Sequence, residues 1–130
     1  MNIVDTSGWL EYFSDGPNAD RFLKPLQDSS SLIVPVITIY EVFKIVLRES
    51  SENEALQAIA AMEKGEVVEL TTSIAMTASK LSINYSLPMA DSLILSTAQL
   101  YGCTIWTQDS DFKDIPGVNF FPKIANRDRE

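Results

Sequence analysis

Five acids of this chain fall in four separated segments: Asp5, Glu41, Asp91, and the close pair Asp109 and Asp111. Each segment borders an apolar stretch that reads as a strand or a helix. Carboxylates gathered from separate segments make a set of hard oxygen donors, which selects Mg²⁺ or Mn²⁺ over zinc. A divalent ion in such a set lowers the pKa of its water and neutralises charge on a phosphoryl oxygen. The chemistry in view is metal-assisted attack on a phosphoryl group.

Composition removes the alternatives. The 130 residues include no histidine and a single cysteine, Cys103. Histidine acid–base pairs, imidazole zinc sites, four-thiolate zinc and an intrachain disulfide are all excluded. At 45% apolar the chain can bury the core of one domain without disulfides.

Each acid also has a purely structural reading. Asp5 could cap a helix. Glu41 stands three residues after Thr38, the capping-box spacing, which wants Glu for local hydrogen bonding. Asp109-Ser110-Asp111 has the composition of a turn. It is a poor calcium loop, with the wrong spacing to Asp114 and no glycine at the sharp turn. Asp91 is harder to explain structurally. Its helical neighbours Ile94, Leu95 and Ala98 are apolar, and the nearest bases are Lys80 and Lys113. A carboxylate buried there needs a cation or donors to offset several kcal/mol of desolvation.

The elements that must position these acids are short. Ile3-Val4 reads as a strand, with Ser7 as cap of a helix through Phe13. A helix over 18–27 follows, with Pro25 in its last turn. Leu32-Ile33-Val34 is a buried strand, and Thr38 opens a helix to Glu49. Ser51 caps the next helix, which stops at Lys64-Gly65. Strands are expected at 67–70, 103–106 and 118–121, with one helix from Thr72 or Ser73 to Asn84 or Tyr85 and another from Pro88 to Gly102. Strands alternating with helices predict an α/β fold with a parallel sheet covered on both faces. Ligands of such sheets bind beyond the carboxyl ends of the strands, where the acids fall. One domain over 1–124 and a frayed polar tail over 125–130 complete the expected organisation.

Four segments together resemble a PIN domain, most closely a VapC-type toxin of a toxin–antitoxin pair. They are Ile3-Val4-Asp5-Thr6-Ser7, Tyr40-Glu41-Val42, Met89-Ala90-Asp91-Ser92-Leu93-Ile94 and Thr107-Gln108-Asp109-Ser110-Asp111-Phe112. The resemblance implies a three-layer α/β/α fold around a parallel sheet of four to five strands. It implies a Mg²⁺- or Mn²⁺-dependent endoribonuclease, with Asp5, Glu41, Asp91 and Asp109 as the acidic quartet. Asp111 would be auxiliary, and Ser7 or Thr107 would orient hydroxyls. It also implies a homodimer held silent by a small antitoxin. Gln108 departs from many relatives, which carry a base there.

The net charge is −8, unusual for a nucleic-acid partner, so substrate binding is expected to depend strongly on metal. Lys44 and Arg48 follow Glu41 at helical spacing and could lead a strand toward the site, or simply pair with nearby acids. The acidic N-terminal segment is no signal peptide, and no apolar run approaches the ~20 residues of a membrane span. A cytoplasmic protein is expected. The competing reading is a non-catalytic PIN-like module whose acids hold a structural ion, bind a partner, or merely cap helices.

Overall fold

Ile3 and Val4 point to opposite faces of a sheet, as do Ile33 and Val34, and each face has its own apolar cluster. Strands buried on both sides must lie between two layers of helix, and that is the architecture of the computed structural model, which describes residues 1–125. Its strands are β1 (Asn2–Val4), β2 (Ile33–Pro35), β3 (Glu66–Val68), β4 (Thr104–Thr107) and β5 (Val118–Phe120). Its helices are α1 (Thr6–Phe13), α2 (Ala19–Gln27), α3 (Val36–Glu49), α4 (Glu52–Met62), α5 (Thr72–Tyr85) and α6 (Met89–Tyr101).

All pairing is parallel. β1 pairs with β4, placing Ile3 opposite Ile105, and β4 pairs with β5. β2 pairs with β3, and a single bridge from Asn2 to Leu32 joins the two ladders. The strand order is therefore β3-β2-β1-β4-β5, with β1 and β4 adjacent near the centre. On one face Ile3, Ile33 and Ile105 pack against Leu81 of α5 and Ile94, Leu95 and Ala98 of α6. On the other, Val4 and Val34 pack against Trp9, Phe22, Val42 and Met62, from α1 to α4.

Several helix starts differ from expectation. Asp5, rather than Ser7, caps α1, because its carboxylate accepts the Gly8 N–H. Thr71, one residue before the expected cap, accepts the Ile74 N–H and opens α5. α3 begins at Val36, because Pro35 closes β2 in extended backbone at φ −62° and ψ 135°. Thr38 therefore lies inside the helix and donates its hydroxyl to the Pro35 carbonyl at 2.6 Å. The capping box is absent there, and Glu41 is released from that role. At Ser51 half of the box forms: Ser51 Oγ accepts the Glu54 N–H, while the Glu54 carboxylate accepts the Ser50 hydroxyl. From residue 126 on, the expected tail lies outside the described residues. Among the described residues no helix is long and apolar enough to cross a membrane.

Candidate functional site

The carboxyl ends of β1 and β4 lie side by side, with the Asp5 N–H donating to the Trp106 carbonyl at 3.1 Å. Asp5 is only 1% exposed. Its Oδ1 accepts the Ser7 hydroxyl at 2.7 Å and the Gly8 N–H at 2.9 Å, while Oδ2 accepts the Thr107 hydroxyl at 2.6 Å. Burial pushes its carboxyl up to about 6, against the pull of these three donors, and the charge of Asp109 adds to the rise. Gly8 makes this turn possible. A Cβ there would lie 2.6 Å from Val4 Cγ1 and 2.7 Å from Phe22 Cε1, so only glycine lets α1 sit this close to β1 and α2.

Thr107 then carries the arrangement toward Asp109. Its Oγ1 accepts the Asp109 N–H at 2.9 Å, and Asp109 Oδ1 accepts the Asp111 N–H at 2.9 Å. The latter bond caps a 3₁₀ turn over Ser110–Phe112, anchored by the buried Phe112 ring. Two acids two residues apart are thus presented from one short turn above β4.

Asp91 arrives from the other side, in the first turn of α6. A helix N-terminus favours a carboxylate. Burial and like charge outweigh it: the Asp91 carboxyl is pushed up to about 8, first by desolvation and then by Asp109, Asp5, Asp111 and Glu41. One carboxylate oxygen from each of Asp91, Asp109 and Asp111 lies within 4.8 Å of the others.

Glu41 stands on α3, where Thr6 donates its hydroxyl to Oε1 at 2.6 Å. Asp5 and Glu41 lie outside the tight trio yet act on Asp91 through their charge. The five sequence-chosen acids thus share one electrostatic field, but the geometric set is Asp91, Asp109 and Asp111. Asp111, expected as auxiliary, is in it. Asp5, expected as a ligand beside Asp91, has both oxygens engaged by protein donors.

Two contributors were missed from sequence. Thr6 directly follows Asp5, and its polar side chain at a strand end was the available signal. Gln108 is buried: its Oε1 accepts Asn18 Nδ2 at 3.0 Å, its Nε2 donates to Glu11 at 3.4 Å, and its backbone N–H donates to Ser7 Oγ at 3.2 Å. It braces the turn from within. No run of hydrophobicity or charge marked it.

None of the five acids is in an ion pair with a base among the described residues. Among the described residues the ion pair found is Arg48 with Glu49, exposed and 3.4 Å apart. Hard oxygen donors, clustered like charge and an Asp91 carboxyl whose charged form is opposed first by burial and then by its neighbours all fit a divalent cation.

The comparisons with known proteins bear on the family and the fold. No curated protein matches the sequence. Among solved structures, the chain is similar to one from a toxin–antitoxin complex of Klebsiella pneumoniae, at 26% identity and TM-score 0.79, covering 95% of this chain and 100% of that one. It is similar in fold to VapC20 of Mycobacterium tuberculosis, described as a sarcin–ricin loop cleaving toxin (14% identity, TM-score 0.76, 89% and 95% covered). A third likeness is to VapBC2 of Rickettsia felis, bound to a DNA fragment from its promoter (15% identity, TM-score 0.72, 93% and 97% covered). The family model described as PIN domain matches residues 3–118, a span that runs from β1 to the first residue of β5 and contains all five acids. With that match over most of its length and a three-layer fold to support it, the chain belongs to the PIN domain family.

Proposed function

We propose that this protein is a Mg²⁺- or Mn²⁺-dependent endoribonuclease and the toxin of a toxin–antitoxin pair. The observation that carries the reading is the convergence of Asp91, Asp109 and Asp111 within 4.8 Å, without a basic partner among the described residues. Those three would hold the ion, with Asp5 and Glu41 adding negative charge felt at Asp91. The ion, when bound, supplies neutralisation of phosphoryl charge and activation of water.

The protein's own part is positioning. Asp5 is fixed by Ser7, Gly8 and Thr107, and through Thr107 it sets the backbone that carries Asp109. Glu41, with one oxygen held by Thr6, keeps the other to orient water or help hold a second ion. Carboxylates on rigid elements need little reorganisation when charge develops on the substrate.

RNA as substrate is supported by the sarcin–ricin loop cleavage ascribed to the VapC20 relative. An antitoxin is supported by the Klebsiella relative, which comes from a toxin–antitoxin complex. A homodimer in the cytoplasm completes the reading. The test is incubation of the purified protein with single-stranded RNA and with DNA of the same sequence, in Mn²⁺ and in excess EDTA. Cleavage of RNA in Mn²⁺ alone supports the proposal. Cleavage that persists in EDTA removes the metal mechanism, and intact RNA throughout favours a non-catalytic binding module.

A further inference from the structure

Asp5-Thr6-Ser7 spends its two hydroxyls on two different acids. Ser7 holds Asp5, two residues away, while Thr6 reaches Glu41, 35 residues away on α3, at 2.6 Å. Thr6 is the first residue of α1, its backbone set by the Asp5 cap. A β-branched side chain there has few rotamers, so its hydroxyl is aimed rather than free.

What surrounds Glu41 makes that bond informative. Lys44 and Arg48 follow it on the same helix and could neutralise it. Instead Lys44 Nζ lies over the Tyr40 ring, 5.6 Å from its centroid, and Arg48 pairs with Glu49. The Thr38 capping box that would give Glu41 a local role does not form. The recorded side-chain partner of Glu41 among the described residues is a neutral hydroxyl. It takes one oxygen and leaves the charge uncompensated, and that charge reaches Asp91.

We infer that Thr6 is a positioning residue: its hydroxyl pins Glu41 Oε1 and turns the second carboxylate oxygen toward the acidic cluster. The inference rests on the proposed metal-dependent function and goes beyond it by assigning a residue outside the acidic set. Thr6 touches neither metal nor RNA and acts only through Glu41.

The test uses Thr6→Val, which keeps the shape without the donor, Thr6→Ser, which keeps the donor, and Glu41→Gln, alone and combined with Thr6→Val. Thr6→Ala is a second donor-free variant should Thr6→Val fold poorly. Mn²⁺ affinity is read by calorimetry without RNA, and kcat and KM are read on RNA. Thr6→Val should lower Mn²⁺ affinity and kcat by about tenfold, the scale of lost outer-shell support, and leave KM unchanged. Thr6→Ser should restore both. On the Glu41→Gln background, Thr6→Val should add nothing. Parental affinity and kcat in Thr6→Val, while Glu41→Gln is impaired, would overturn the inference and leave the proposed function standing. An equal further loss on the Glu41→Gln background would also overturn it. Parental behaviour of Glu41→Gln itself would instead remove the role given to Glu41, and with it the ground for the inference.

Discussion

Thr107 donates to Asp5 Oδ2 at 2.6 Å, so the carboxylate that ends one central strand is held by the strand beside it. The same hydroxyl accepts the Asp109 N–H, which makes one side chain the joint between the buried acid and the exposed turn. Thr107→Val preserves volume but strips a buried, charge-assisted bond, and should cost about 2 kcal/mol of unfolding free energy. Urea denaturation at neutral pH measures it. A variant as stable as the parent would mean that the bond contributes nothing.

Asp91→Asn should make the metal-free protein more stable. The side chain keeps its shape and loses an ionisable group whose charged form burial and four acids oppose. Asp91 is half-buried, so solvent screens part of the repulsion. About 1 kcal/mol of relief would raise the melting temperature by roughly 4 °C in a domain of this size. Mn²⁺ should stabilise the parent by mass action and the variant much less. Melting curves of both proteins, with and without Mn²⁺, check both statements. If Asp91 were only a helix-dipole acid, Asn would lower stability and metal would shift neither curve.

Stability of the metal-free protein should fall as pH rises from about 4 to about 8. Asp5 and Asp91 both have their carboxyls raised from 3.8, to about 6 and about 8. Below that window folded and unfolded chains both bind the protons, and above it neither does. Inside it the folded protein keeps protons that the unfolded chain releases, so rising pH favours unfolding. Saturating Mn²⁺ favours the charged forms and should flatten the profile. Melting temperatures across the window, with and without Mn²⁺, measure the slope, and a metal-free profile that rises with pH would contradict the clustered acids.

Gly8→Ala should destabilise by about 2 kcal/mol, because the added carbon overpacks a filled region. It would meet Val4 and Phe22 at under 3 Å. The strain falls on the N–H that Asp5 caps, so thermal stability and Mn²⁺ affinity should decline together. A full loss of affinity without any loss of stability would contradict the coupling.

The layers were legible in the sequence because Ile3-Val4 and Ile33-Val34 carry β-branched residues into both faces, and because Gly102 stops α6 at φ 65°. Asp91 was legible because an acid among Ile94, Leu95 and Ala98 has no cheap structural explanation. Glu41 was ambiguous for a physical reason. The Thr38–Glu41 spacing satisfies the capping-box pattern, and only the position of Pro35, which starts the helix earlier, removes that reading. The pairings Thr6–Glu41 and Thr107–Asp5 were not legible, since they join residues 35 and 102 apart and depend on strand order. The prominence of Asp111 over Asp5 in the tight trio depends on side-chain direction in a 3₁₀ turn, which local composition does not encode.

The proposed function depends on a divalent ion held by Asp91, Asp109 and Asp111. Calorimetric titration of the metal-free protein with Mn²⁺, alongside Asp91→Asn and Asp109→Asn, tests it most directly. Binding to the parent should be saturable and weakened by at least about tenfold in each variant, since a site missing one charged ligand loses both attraction and geometry. Parental affinity in both variants, or no saturable binding to the folded parent, would contradict it.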